Sequence, residues 1–147
     1  MATTYTVEVP AGTKSATGTR LEAPVKFTFT TPPPVLETRW PDGGPFGLSP
    51  VIVLGFDQRV DPAEILAHTA LTGGGRGDHP LRLATPAELA ADAAAAPIAR
   101  ALDDAAPGRS VAMIPVEPLP VATGFALTVR AGAPSAEGPN PTAADQG

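Results

Sequence analysis

Apolar residues alternate with polar or small ones in three short stretches: Tyr5, Val7, Val9; Val25, Phe27, Phe29; and Phe125, Leu127, Val129. A period of two places one set of side chains on one face of an extended chain, so each stretch predicts a half-buried strand. Val35–Arg39 and Ser110–Pro115 predict further strands, and Leu71 and Leu81–Leu83 sit in short strands around a Gly73-Gly74-Gly75 loop. Pro50–Phe56 (PVIVLGF) is apolar throughout and rich in β-branched residues. Such a run predicts a central strand covered on both faces. Two places carry helix-start grammar instead: Asp61-Pro62-Ala63-Glu64 and Thr85-Pro86-Ala87-Glu88. Each has a capping residue, proline at the first helical position and glutamate at the third. The first helix should end near His68. The second runs into an alanine-rich stretch to Ala96, where Pro97 is expected to break or kink it, with Ile98–Ala105 adding another turn or two. This segment holds few large apolar residues (Leu89, Ile98, Leu102), so it reads as an insertion lying on the sheets and not as a core element.

The chain also repeats itself. Tyr5–Gly18 (YTVEVPAGTKSATG) and Phe125–Gly138 (FALTVRAGAPSAEG) align without a gap at an offset of 120, with six identities. Each copy is an alternating strand that ends in an Ala-Gly turn. The first copy is followed by the alternating strand Val25–Thr30; after the second, no such strand follows before Gly147. Between them stands Pro32-Pro33-Pro34, which lacks ladder donors and favours a stiff polyproline II geometry. The expected organisation is therefore 1–31 as the closing hairpin of a preceding unit, 32–34 as a proline-rich joint, and 35–147 as a unit lacking its last strand. Many short strands and one helical excursion predict a mainly β protein, an Ig-like β-sandwich with a short helical insertion at about 85–105.

Composition narrows the function classes. Glycine (15) and proline (19) make up about 23% of the 147 residues, against an average near 12%. That disfavours a long-helix protein. Ten basic against fifteen acidic residues leave no basic footprint for nucleic acid. Val51–Phe56, the longest apolar run, is of strand length and too short to insert in a bilayer. The first residues, Met1–Tyr5, have no basic region and no apolar stretch of the secretory type. Without cysteine there is no disulfide, thiolate–zinc site or thiol nucleophile.

The runs YTVEVPAGTKSATGTRLEAPVKFTFTTPPP, PVIVLGFDQRVDPAEIL, LRLATPAELAAD and VEPLPVATGFALTVRAGAPSAEGP resemble the N-terminal macroglobulin-like and Ig-like modules of bacterial alpha-2-macroglobulins. The resemblance spans residues 4 to 140 and is strongest at Phe56–Pro62 (FDQRVDP) and Pro134–Pro139 (PSAEGP); the first phrase is also similar to surface-layer-type bacterial Ig-like domains. It implies a macroglobulin-like sandwich from a large endopeptidase inhibitor, a protease trap facing the periplasm or the cell exterior. Such traps use a bait segment and a cysteine–glutamine thioester. This chain has no cysteine and no identifiable bait segment. What the resemblance implies is thus a structural module whose partners are the neighbouring domains of its parent, meeting proteases only through the full-length protein. The alternative is an Ig-like spacer or adhesion module of a bacterial cell-surface protein.

Candidate chemistry is sparse. Arg76-Gly77-Asp78 spells an adhesion tripeptide on a glycine-rich, exposed loop, a match that composition alone explains. His68 and His79 are the only histidines, too few for a zinc site, and His68 suits a helix C-terminus. Asp57 and Asp61, with Asp42 or Asp78, offer oxygens for a calcium site at a strand end, but without EF-hand spacing, and Asp61 already reads as a helix cap. Asp103-Asp104 reads as a solvated pair at a helix end. Ser15, Ser110 and Ser135 have no nucleophile-elbow context, and Gly73–Gly75 is not followed by the lysine of a phosphate loop. Trp40, with Pro41 and Phe46, reads as a core or interface anchor. No residue is assigned a catalytic, cofactor-binding or metal-binding role, and no enzyme activity or cofactor is expected.

Overall fold

The computed structural model describes residues 2–147, Arg76 by its backbone alone. The protein is mainly β and sandwich-like. Its elements in chain order are β1 (Thr4–Val9), β2 (Val25–Thr30), β3 (Leu36–Trp40), β4 (Ile52–Phe56), α1 (Pro62–His68), β5 (Thr69–Gly73), β6 (Arg76–His79), β7 (Leu81–Leu83), α2 (Pro86–Ala91), α3 (Ala95–Ala105), β8 (Ser110–Pro115) and β9 (Phe125–Val129). They form a four-stranded sheet ordered β3-β4-β8-β7, a three-stranded sheet ordered β6-β5-β9 and the separate pair β1-β2, all antiparallel.

β4 is buried along its whole length, as its unbroken apolar run requires. Ile52, Leu54 and Phe56 share one face of their sheet with Val111 and Met113 of the neighbouring β8, and there they pack with Leu71 from β5 and Val129 from β9 in the other sheet and with Ile65 from α1. The alternating set Phe125, Leu127, Val129 lies on this same core. The other face of β4, with Val51 just before it and Val53, packs on Ala95 and Ala99 of α3, with Leu89, Ile98, Leu102 and Trp40 around them. The helical segment is thus not a passive insertion: it closes a second core layer. Alanine makes this possible, because a small side chain lets the helix backbone approach the sheet. A Cβ at Gly55 would stand 3.0 Å from the Leu102 methyls and 3.1 Å from Thr38 Cβ.

The helix starts form as their grammar predicts. Asp61 Oδ1 accepts the amides of Ala63 (2.8 Å) and Glu64 (3.3 Å), and α1 ends at His68. Thr85 and Glu88 form a complete capping box. The break after α2 is not at Pro97. It falls at Asp92, whose extended backbone ends α2 and whose Oδ1 accepts the amides of Ala94 (3.0 Å) and Ala95 (2.9 Å). Pro97 lies in the first turn of α3, where its missing N–H has no helical partner to lose.

The sequence repeat is a structural repeat. Gly12 N–H donates to Leu21 O (2.7 Å) and Leu21 N–H to Thr13 O (2.9 Å); the equivalent Gly132 N–H donates to Thr142 O (2.8 Å) and Thr142 N–H to Ala133 O (2.9 Å). Gly12 and Gly132 both have positive φ, +85° and +93°, which this turn demands of them. Val9 pairs with Val25 across the first hairpin, and Val129 with Gln146 across the second. The return limb runs one residue later in the second copy. The β1–β2 hairpin adds to neither larger sheet, and the outer side of β9 begins to be covered by the chain's own residues at Gln146.

Candidate functional site: a clamped proline joint

Three successive prolines present carbonyls but no amide hydrogens. A segment of this kind is held only by donors that come to it. Pro32 O accepts Gln58 Nε2 (3.0 Å) and the Ala2 amide (3.1 Å), Pro33 O accepts Gln58 Nε2 (2.9 Å), and Pro34 O accepts Gln146 Nε2 (3.0 Å). Gln58 is completely buried, and its Oε1 accepts the Ser135 hydroxyl (3.1 Å). Pro34 is also fully buried.

The surrounding main chain locks the same place. Asp57 Oδ1 accepts the Val35 amide (2.7 Å), and the Asp57 amide donates to Val35 O (3.1 Å). Gln146 Oε1 accepts the Leu36 amide (2.6 Å). The Arg59 amide donates to Glu137 Oε1 (2.9 Å), and the Ala136 amide to Arg59 O (3.0 Å). That Arg59 amide holds the Glu137 carboxyl below its ordinary range, so it stays ionised beside the Arg59 guanidinium at 3.5 Å. The phrases Phe56–Pro62 and Pro134–Pro139, far apart in sequence, therefore meet in space around the prolines. The hairpin is tied to this joint by both its ends: Ala2 is buried, the Asn140 amide donates to Ala2 O (2.7 Å), and the Thr31 amide to Thr3 O (3.0 Å). The sequence gives no sign of this role for Gln58, Gln146 or Ser135, whose partners are largely carbonyls and amides that leave no mark in it.

The other candidate residues are dispersed. Arg76-Gly77-Asp78 lies in strand β6 and not in a loop; the preceding turn is Gly74-Gly75, both at φ +67°, as a tight hairpin requires. Asp78 pairs with Arg130 at 2.7 Å. Asp42 pairs with Arg39 at 3.1 Å, Asp57 holds Val35, and Asp61 caps α1. The four aspartates thus have four separate employments, and among the described residues no three His, Asp or Glu side chains converge. His68 Nδ1–H donates to Glu64 O (2.8 Å) within its own helix. His79 Nε2–H donates to Gly73 O (3.1 Å), with its ring edge-on to Phe125 at 5.2 Å. Asp103 is not simply solvated: it accepts the Ser110 hydroxyl at 2.7 Å. Ser15 shares a hydrogen bond with Thr17 (2.9 Å) in an exposed turn. Trp40 is half-buried against the second core layer and also borders a cleft of about 300 Å³ between the two sheets. Compared with models of known protein families and with curated proteins, the chain matches none.

Proposed function

We propose that this chain is a structural module whose task is to hold two β units in a fixed relation. The reading rests on the joint above: an element that only connected would leave three proline carbonyls to solvent, whereas this one buries Gln58 to bind two of them. Burial of an amide side chain costs free energy unless every polar atom is matched, so such a clamp specifies one geometry. The sequence resemblance supports placing the module in a bacterial alpha-2-macroglobulin-like endopeptidase inhibitor, in the periplasm or cell envelope, as scaffold and not as trap chemistry. Asp78 of the tripeptide is paired with Arg130 at the surface, both side chains about half exposed.

On this reading the purified chain leaves trypsin and thermolysin fully active on a large protein substrate, and thermolysin, which cuts before bulky apolar residues, leaves the Pro34–Val35 bond at the joint uncut under conditions that nick exposed loops. Potent inhibition by the chain alone, or first cleavage at the joint, contradicts it.

A further inference from the structure

The loop between β3 and β4 is exposed at every residue from Asp42 to Ser49. It is tied at two places. Arg39 Nε donates to Asp42 Oδ1 (3.1 Å), with both side chains open to solvent, and the Leu119 amide donates to Leu48 O (2.7 Å). Between these ties, among the described residues, positions 43–47 make no main-chain hydrogen bond. Gly43 and Gly44 hold φ at +79° and +80°, a region that favours glycine. A Cβ built at Gly43 would meet nothing within 4 Å. The Gly43 nitrogen, next in the chain to the Asp42 carboxyl, is thus shielded by no hydrogen-bond partner, no side chain of its own and no packing.

We infer that Asp42–Gly43 is a self-modification site, at which the peptide link moves from the α-carboxyl to the β-carboxyl of Asp42. With the side chain protonated, the Gly43 nitrogen bonds to Asp42 Cγ, and the carboxyl hydroxyl leaves with the amide hydrogen as one water. The resulting cyclic imide takes up one water at the former main-chain carbonyl, which becomes a free carboxylate, and the product is isoaspartate. The composition is unchanged and no co-reactant other than water is used. The main chain gains one carbon among Trp40, Pro41 and Phe46, which line the cleft between the sheets, and the carboxylate held by Arg39 moves onto the main chain. No other position combines these features. None of the seven other aspartates precedes glycine. Asp57, Asp61, Asp92 and Asp145 each accept a main-chain amide (2.7–3.0 Å), Asp78 lies in β6, and Asp103 and Asp104 lie in α3. Asn140, the single asparagine, precedes Pro141, which has no N–H to give up. This inference is independent of the scaffold role.

The test follows the intact chain at neutral pH and body temperature, beside a synthetic peptide of residues 36–48 (LETRWPDGGPFGL). With time, tryptic peptide 40–59 should split into forms of equal mass, assigned by electron-transfer fragmentation to aspartate and isoaspartate at position 42. Conversion in the intact chain should run within about 3-fold of the rate in the free peptide, because the fold leaves this loop unprotected, and at least ~10-fold faster than at any other aspartate. Asp42→Glu, which keeps the charge but needs a larger ring, should show no splitting. The inference is overturned if the intact chain converts more than about 3-fold slower than the peptide, or if another aspartate converts within ~10-fold of Asp42. It is likewise overturned if the glutamate variant splits as the parent does.

Discussion

At the scale of single residues, the protein places its most consequential polar side chain where the sequence is least eloquent. Gln58 sits in a phrase that reads as strand end plus helix cap, and both of those are present. Its role arises from prolines 25 and 26 residues earlier and from Ser135 far downstream. Replacing Gln58 by alanine should cost about 2–4 kcal/mol in chemical denaturation, because it leaves Pro33 O and the Ser135 hydroxyl unmatched and opens a void. Loss of less than about 0.5 kcal/mol, the size of an ordinary surface change, would show that the clamp is not holding. Glu88 is the opposite case, since its capping role is legible in Thr85-Pro86-Ala87-Glu88. What the sequence does not show is Arg82, which binds both Glu88 oxygens at 2.6 and 2.9 Å. Those bonds, with the Thr85 amide and hydroxyl, lower the Glu88 pKa from 4.5 to about 2. A folded pKa below the unfolded one stabilises the protein above pH 4.5 and loses that effect as pH falls toward about 2. Glu88→Gln should therefore melt earlier than the parent at neutral pH. The gap in melting temperature should close progressively between pH 4.5 and 2. A gap that stays constant across that range would show that the carboxylate's charge is not involved.

At the scale of elements, hydrophobic period was a reliable guide to where strands run, but not to the burial of β2, which is exposed throughout, and a poor guide to the helical layer. The continuous run of β4 and the alternation of β9 have large side chains that declare their faces, and both faces are where the pattern puts them. In α3 the buried residues are Ala95 and Ala99. They contribute close approach in place of large area, so counting big apolar residues underrates the helix. The same closeness makes Gly55→Ala a sensitive probe of the second core layer: the added methyl meets Leu102 at 3.0 Å and should destabilise by about 1–3 kcal/mol. If the helices only rested on the sheet, they would shift and the substitution would be neutral in thermal unfolding. Asp92 teaches a related lesson about boundaries. One aspartate both closes α2 and holds the turn that leads into α3, through the amides of Ala94 and Ala95, and Pro97, the obvious breaker, is in the one turn that tolerates it.

At the scale of the whole molecule, the chain carries one hairpin design twice, in two environments. The Phe125–Val129 copy is set into the core, whereas the first copy leaves Tyr5 and Phe29, stacked at 5.2 Å, and Phe27 about half exposed. A lone two-stranded hairpin is marginal in water, so what holds the first copy in place is its attachment at the joint. Sequence symmetry made the repeat visible, but not the clamp that fixes one copy relative to the other, because side-chain to main-chain bonds across long separations have no sequence signature. The central claim is that fixed relation. It is tested most directly by spin labels at Thr28→Cys on the polar face of β2 and Arg100→Cys on α3, in a chain with no native cysteine. Double electron–electron resonance should give one narrow distance distribution in this background, and a broad one when Gln58→Ala is added. A broad distribution before Gln58 is touched would contradict the account.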